Sequence, residues 1–227
     1  ACCGIWIGEG TALGILDGPF YLFLLSREQF LLLGVIPDTA INHKPSASLQ
    51  GISFFPLGDL LAGLVSAGIT GIMGAPMAMH LVRAGYNVSV FSRTRKKAGK
   101  LTDSGCTWYD SPSSLTENCN IIFSIVGYPA DVEEVYFGEK GILKTLRKGS
   151  VVVDMTTTLP ALSTRIDKAC RKAGAHAIDA PVSGGEVGAI KGSLSVMIGG
   201  DKEVVEQIEP LMEAFSANMV YQGSAGS

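Results

Sequence analysis

The stretch Leu64–Phe91, LVSAGITGIMGAPMAMHLVRAGYNVSVF, carries strand, turn, helix and strand signals in that order. Leu64–Ile69 is a short apolar run of strand character, and Gly68, Gly71 and Gly74 punctuate the turn after it. Gly74–Ala84 sets Met77, Ala78, Leu81 and Val82 at helical spacing, and Tyr86–Phe91 alternates as a strand does. Glycines between a strand and a helix allow a tight turn, a close approach of backbone to phosphate, and close packing of helix on strand. The free N–H groups at the helix start then hold the anion. In a G-x-G-x-x-G turn the last two glycines are Gly71 and Gly74; the first position is Ile69, with Gly68 one place early. An ordinary strand–helix turn looks the same, so both readings stay open on this segment alone.

Outward from there the alternation continues. Thr94–Ser104 reads as a helix and Ser111–Glu117 as a short helix with a Ser-Pro start. Asn120–Val126 (NIIFSIV) and Ser150–Met155 (SVVVDM) are near-continuous apolar runs, the pattern of strands buried on both faces. Asp131–Tyr136, Gly141–Leu146, Pro160–Ala173 and Lys202–Phe215 have helical periodicity. His176–Ala180, Ser193–Ile198 and Met219–Gln222 read as strands. Strands alternating with helices at this spacing predict an α/β fold: a doubly wound, mostly parallel sheet of Rossmann type.

Composition narrows the function classes. Of 227 residues 47% are hydrophobic and 17% charged, which excludes a disordered chain. Lys+Arg is 18 against Asp+Glu 21, so no basic excess exists to neutralise a run of phosphates, and a nucleic-acid partner is not expected. The 28 glycines, about 12% against a usual level of roughly 7%, fit tight turns and close backbone approaches. Cys2, Cys3, Cys106, Cys119 and Cys170 form no CxxC pair and lie far from His43, His80 and His176, so no metal site is expected. The cysteines read as reduced, mostly buried thiols of an intracellular protein.

The strand end at Phe91 continues Ser92-Arg93-Thr94-Arg95-Lys96-Lys97, and the first carboxylate is Asp103. An acid about 20 residues past the glycine turn is the usual partner of the NAD ribose 2′-hydroxyl. A hydroxyl followed by cations suits a 2′-phosphate instead, which a guanidinium binds through two N–H groups and a carboxylate repels. NADP(H) is therefore favoured over NAD(H), although Arg95, Lys96 and Lys97 also fit a solvated first turn. Further on, Asp179-Ala-Pro-Val-Ser183-Gly184-Gly185 follows a strand and precedes Gly188-Ala189-x-x-Gly192-x-Leu194. A serine and two glycines offer a hydroxyl and unhindered N–H groups to a small carboxylate. A tight loop needing glycines for its path alone accounts for the same residues.

Taken together and in order, GIMGAPMAMHLVRAGY (Gly71–Tyr86), FSRT (Phe91–Thr94), IVGYP (Ile125–Pro129), VVDMTT (Val152–Thr157) and DAPVSGGEVGAIKGSL (Asp179–Leu194) closely resemble the β-hydroxyacid dehydrogenase family. Within it they look most like the 3-hydroxyisobutyrate dehydrogenase-like and glyoxylate/succinic semialdehyde reductase-like members. The resemblance covers about Gly71–Gly226, the family's nucleotide-binding domain. It implies that Gly71, Ile72, Met73 and Gly74 lie along the cofactor pyrophosphate, with Ser92, Arg93 and Thr94 at the adenosine ribose or its 2′-phosphate. Val126 to Pro129, with Val132, would flank the adenine, Thr157 would sit near the nicotinamide ribose, and Ser183, Gly184 and Gly185 would bind the substrate carboxylate. The implied activity is NADP(H)-dependent interconversion of a small hydroxyacid and its semialdehyde or keto acid, hydride moving to or from nicotinamide while a lysine transfers the proton.

That lysine belongs to a helix beyond a G-x-x-G-x-G segment, whereas this chain ends Gly223-Ser-Ala-Gly226-Ser227. No catalytic residue is expected within it; Lys191 sits in a glycine-rich segment and reads as solvated surface. The family's C-terminal helical domain is missing, so the expectation is a truncated chain, inactive alone, that forms a homo-oligomer only when that domain is present. A catalytically dead nucleotide-binding or interaction module is the alternative. An unstable product with an exposed apolar sheet edge is a third.

Residues 1–66 resist assignment. Pro19–Ile36 is very apolar but interrupted by Arg27 and Glu28, short of the roughly 20 unbroken residues that span a bilayer, so no membrane partner is expected. Residues 1–18 carry no Lys or Arg for a signal peptide, and Glu9, Asp17 and Glu28 do not suit a transit peptide. Two domains are expected: an unassigned apolar N-terminal extension over 1–66, a divergent extension or the product of an unusual splice, and an NADP-binding domain over 67–227. Cytoplasm is the default compartment, with mitochondrion or plastid open.

Overall fold

The computed structural model of the chain describes residues 71–227 in full and, before them, the backbone of five strands. The first four are β1 (Cys3–Ile7), β2 (Thr11–Ile15), β3 (Tyr21–Ser26) and β4 (Gln29–Gly34), which pair in chain order as an antiparallel sheet. The apolar run Pro19–Ile36 thus contains β3 and β4, with Ser26 opposite Gln29. Ala1–Ile52 forms one compact unit and Ser53–Ser227 a second.

The second unit starts with β5 (Leu61–Ala67), three residues upstream of the predicted strand. Gly68, Ile69 and Thr70, where the glycine turn departs from its usual spacing, lie outside the described residues. Then follow α1 (Gly71–Arg83), β6 (Asn87–Phe91), α2 (Gly99–Asp103), β7 (Thr107–Tyr109), α3 (Pro112–Thr116), β8 (Ile121–Val126), α4 (Pro129–Phe137), β9 (Val151–Asp154) and α5 (Pro160–Lys172). The chain closes with β10 (His176–Asp179), β11 (Val182–Ser183), α6 (Gly185–Lys191), β12 (Leu194–Gly200), α7 (Lys202–Glu213) and β13 (Ser216–Gly223).

The sheet order is β11-β12-β10-β9-β8-β5-β6-β7, with β13 on the other edge of β12. From β7 to β10 all neighbours are parallel, and β12 runs antiparallel to β10. The chain therefore winds outward from β5 through β6 to β7, then returns to the other side of β5 and winds through β8 and β9 to β10. That reversal makes a topological switch point, and the crevice beyond the carboxyl ends of β5 and β8 is where such sheets bind ligands.

Alternation along β8 explains the two layers of core. All six of its residues are buried. Ile121, Phe123 and Ile125 face one cluster with Met77 and Leu81 of α1 and Ile208 and Leu211 of α7. Ile122 and Val126 face the other, with Val132 and Tyr136 of α4 and Ile166 and Cys170 of α5. Phe123 meets Phe215 edge to face, ring centres 5.8 Å apart. Cys106, Cys119 and Cys170 are free thiols inside these cores, each pushed to a higher pKa by burial.

Local chemistry sets the element ends. Gly85 (φ +90°) lets α1 stop: its own N–H reaches Val82 C=O at 3.0 Å and the Tyr86 N–H reaches Leu81 C=O at 3.1 Å. Ser111 caps α3 reciprocally with Ser114, and Pro112 stands at the first helical position. The predicted helix Thr94–Ser104 is instead a 3₁₀ turn over Arg95–Ala98 followed by the five-residue α2, which begins at Gly99. Gly141–Leu146 holds only a 3₁₀ turn, Ile142–Lys144. β7, β11 and α6 carry no clear sequence signal, being short or, in α6, glycine-containing.

Candidate functional site

Of the residues singled out in the sequence, Gly71–Gly74 open α1 after β5, Ser92–Thr94 follow β6, Val126 ends β8, Pro129 and Val132 lie in α4, Thr157 follows β9, and Ser183–Gly185 stand at the junction of β11 and α6. Gly71 is the first residue of α1 and half-buried, and a Cβ built there meets nothing within 4 Å. Ile72 beside it is 47% exposed, an apolar side chain left uncovered at the mouth of the crevice. Gly74 is buried and Met73 packs against the first core, so the same turn also fixes α1 on the sheet.

After β6, the Ser92 hydroxyl donates to the Thr94 carbonyl at 2.9 Å and shapes the turn. The Arg93 guanidinium pairs with the carboxylate of Asp131 in the first turn of α4. Because β6 and β8 lie on opposite sides of β5, this pair spans the crevice beyond the end of β5. Arg95 turns elsewhere, its guanidinium 5.1 Å from the centre of the Trp108 ring on β7. Lys96 and Lys97 are exposed. The run of cations is thus divided among separate tasks.

Val126 and Val132 are buried, the second completely, and their side chains belong to the core beneath the crevice. Pro129 opens α4 and Tyr128 is 64% exposed. The Val126 N–H donates to Thr156 Oγ1 at 3.0 Å, which ties the end of β8 to the turn after β9, where Thr157 is exposed.

That tie rests on a buried polar cluster which pattern reading misses. Asp154 Oδ1 accepts from the Ser124 hydroxyl at 3.1 Å and from the Thr156 N–H at 3.2 Å. Ser124 also meets the Tyr136 hydroxyl at 2.9 Å. Asp154 Oδ2 is buried without a hydrogen-bond partner. Burial raises the Asp154 carboxyl to about 6, helped by the charge of Asp179, its in-register neighbour on β10. Asp179 is itself raised by burial, offset in part by the Gly226 N–H it accepts at 3.0 Å. The available signal was a serine inside NIIFSIV and an aspartate ending VVVD, each a polar residue in a run that has to be buried.

Ser183, Gly184 and Gly185 are exposed at the end of β11. Gly184 (φ +124°) and Gly185 (φ +58°) both occupy the left-handed side of conformational space, where glycine is favoured. A Cβ on Gly184 would sit 3.3 Å from Leu194 Cδ2, whereas one on Gly185 would meet nothing within 4 Å. Lys191 ends α6 and is exposed.

His80 on α1 is a further residue the sequence did not single out. Its Nε2 lies 3.1 Å from the carbonyls of both Ala189 and Ile190, so the proton is on Nε2 and closes the last turn of α6. A Cβ on Gly192 would fall 3.1 Å from the same ring, which shows how closely α1 and α6 approach. His80→Ala is expected to cost about 1–2 kcal/mol by removing this shared donor, read as a lower urea midpoint at an unchanged m value.

Among the described residues no cluster of three His, Cys, Asp or Glu side chains could hold a metal, and no helix is long and apolar enough to cross a membrane.

A doubly wound sheet with a glycine-opened helix at its switch point defines a dinucleotide-binding domain. Residues 67–223 match the family model described as the NAD binding domain of 6-phosphogluconate dehydrogenase. The chain belongs to the β-hydroxyacid dehydrogenase family, through its nucleotide-binding domain. It is 46% identical over 199 residues to the probable 3-hydroxyisobutyrate dehydrogenase-like 1, mitochondrial, of Arabidopsis thaliana, covering 82% of this chain and 59% of that protein. That coverage exceeds what residues 67–227 alone can supply, so the alignment takes in residues before 67. Against the 2-hydroxy-3-oxopropionate reductase of Escherichia coli strain K12 identity is 40% over 156 residues, covering 69% of this chain and 53% of that protein. The solved structure of Psf3 in complex with NADP+ and 2-OPP superposes with a TM-score of 0.68 at 32% identity, over 72% of this chain and 58% of that one. The chain spans between half and three-fifths of the length of these relatives.

Proposed function

We propose that residues 67–227 form the NADP(H)-binding domain of an oxidoreductase that interconverts a small hydroxyacid and its semialdehyde or keto acid. The observation that carries this reading is the gathering of four loops, at Gly71, Ser92–Thr94, Val126–Pro129 and Thr157, around one switch point. The residues present fit a dinucleotide: the space beside Gly71 where a side chain would stand is open, and the apolar Ile72 is uncovered next to it. In this reading Gly71, Ile72, Met73 and Gly74 line the pyrophosphate, their N–H groups at the start of α1 meeting its charge. Ser92, Arg93 and Thr94 hold the adenosine ribose and its 2′-phosphate. The backbone from Val126 to Pro129 forms the adenine wall, with Val132 supporting it from the core, and Thr157 meets the nicotinamide ribose. Ser183 offers a hydroxyl, and Gly184 and Gly185 offer N–H groups, to the substrate carboxylate. The nicotinamide, when bound, supplies or accepts the hydride. The names of the Arabidopsis and E. coli relatives support a small acid as substrate.

Titrating the chain with NADPH and with NADH, read by the quenching of tryptophan emission, tests this. Saturable binding of both is expected, tighter for NADPH. Arg93→Gln is expected to weaken NADPH about 10- to 100-fold, the worth of a charge-assisted hydrogen bond of about 1.5–3 kcal/mol, with a much smaller effect on NADH. Absence of saturable binding to a folded, monodisperse sample would defeat the reading; an equal loss for both nucleotides would defeat the role given to Arg93.

A further inference from the structure

We infer that Asp131 sets the cofactor preference of this domain by holding Arg93, and that it moves the preference toward the nucleotide lacking a 2′-phosphate. The inference rests on the placement of the adenosine ribose at Ser92–Thr94 proposed above. Its own ground is the ion pair between Arg93, just past β6, and Asp131, in the first turn of α4.

Three features give the pair its consequence. First, it spans the crevice from one flank of β5 to the other, so an adenosine bound between these loops lies against it. Second, Asp131 is the one acidic residue in the first turn of α4. Its side chain is 23% exposed, whereas that of Arg93 is 54% exposed. The carboxylate is the more fixed member, and Oδ2 lies over Gly127, 3.5 Å from where a Cβ would be. Third, nearby cations do not cancel this carboxylate: Arg95 is stacked on Trp108, and Lys96 and Lys97 lie on the exposed turn after Thr94.

A 2′-phosphate carries nearly two negative charges at neutral pH. Arriving at Arg93, it shares a guanidinium already compensated by Asp131 and is repelled by that carboxylate. A bare 2′-hydroxyl carries no charge and meets no such repulsion. Asp131 therefore selectively opposes NADPH, and the preference that Arg93 creates is moderated by an acid 38 residues away in the sequence.

The test is a double-mutant cycle on the 227-residue chain, with NADPH and NADH titrated separately against the parent, Asp131→Asn, Arg93→Gln and the double variant. Thermal melting of each variant establishes that it is folded. In Asp131→Asn the ratio of the NADH to the NADPH dissociation constant is expected to rise about tenfold, and the rise should shrink at high salt. In the Arg93→Gln background the same substitution should also raise the ratio, because the carboxylate then faces the 2′-phosphate without its partner's charge. A ratio that stays the same or falls in Asp131→Asn would overturn the inference, since the carboxylate would then be neutral or would pre-position Arg93 for the phosphate. So would a ratio that fails to rise when Asp131→Asn is made in the Arg93→Gln background. A parent that prefers NADH contradicts the NADP reading but leaves this inference standing if the ratio still rises; a parent that binds neither nucleotide overturns both.

Discussion

Phe123→Ala is expected to destabilise the Ser53–Ser227 unit by about 3–5 kcal/mol, the cost of deleting a large ring from a core that cannot collapse around the space. Phe123 is fully buried at the middle of β8, the strand between β5 and β9. Its ring stands edge-on to Phe215, at 89°, and joins the sheet to the segment between α7 and β13. Both rings are fully buried, so the variant loses the area, the edge-to-face contact and the packing on both sides. Domains have only about 5–15 kcal/mol of total stability, so much of the margin goes. Urea unfolding followed by circular dichroism measures it. Phe123→Leu, which keeps most of the volume, should lose less than half as much; equal losses would mean that the aromatic contact dominates over the cavity.

Asp154→Asn is expected to change the pH dependence of stability by about 3 kcal/mol. The folded carboxyl titrates at about 6, against about 3.9 in an unfolded chain. Below about pH 4 both states hold the proton and the group makes no difference. Between about 4 and 6 the unfolded chain releases it while the folded one retains it, so stability falls as pH rises; above 6 the full cost is present. An asparagine keeps an oxygen for Ser124 and the Thr156 N–H but has no charge to bury. Its stability, taken relative to the parent, should therefore climb by about 3 kcal/mol between pH 4 and pH 8. Urea midpoints of the two proteins across that range decide the matter. Curves that run parallel would show that Asp154 does not retain its proton in the folded state.

Legibility in the sequence followed the range of the forces involved. Strands buried on both faces declare themselves as near-continuous apolar runs, as in Ile121–Val126 and Val151–Asp154, because nearly every side chain there must be apolar regardless of partner. Ser111-Pro112 announced α3 because a cap acts within one turn. Pattern fails where an element is held by something distant. β5 is paired on both sides, so its position is set by β6 and β8 rather than by its own residues. α6 contains Gly185 and Gly188, poor helix formers, and forms because His80 and Leu194 pack against it. Thr94–Ser104 looked like one helix because its periodicity is helical; Gly99 lies where the 3₁₀ turn gives way to α2.

The candidate site divides the same way. Gly71 and Ser92–Thr94 could be named from the glycine turn and the strand end that follows it, and Val126–Pro129 and Thr157 from the family resemblance alone. What they do to one another could not. The Arg93–Asp131 pair joins loops that flank β5. The link from Asp154 through Thr156 to Val126 crosses from β9 to β8. Both depend on strand order, which a local motif does not encode.

The account stands on the crevice at the ends of β5 and β8 being the nucleotide site. Amide chemical-shift mapping of ¹⁵N-labelled chain titrated with 2′,5′-ADP tests it directly. The predicted result is a set of saturable shifts at Gly71 and Ile72, at Ser92–Thr94, and at Gly127 and Tyr128, with the outer strand at Val220 and Tyr221 unmoved. Shifts centred on β12 and β13, or none up to millimolar ligand on a folded sample, would contradict it.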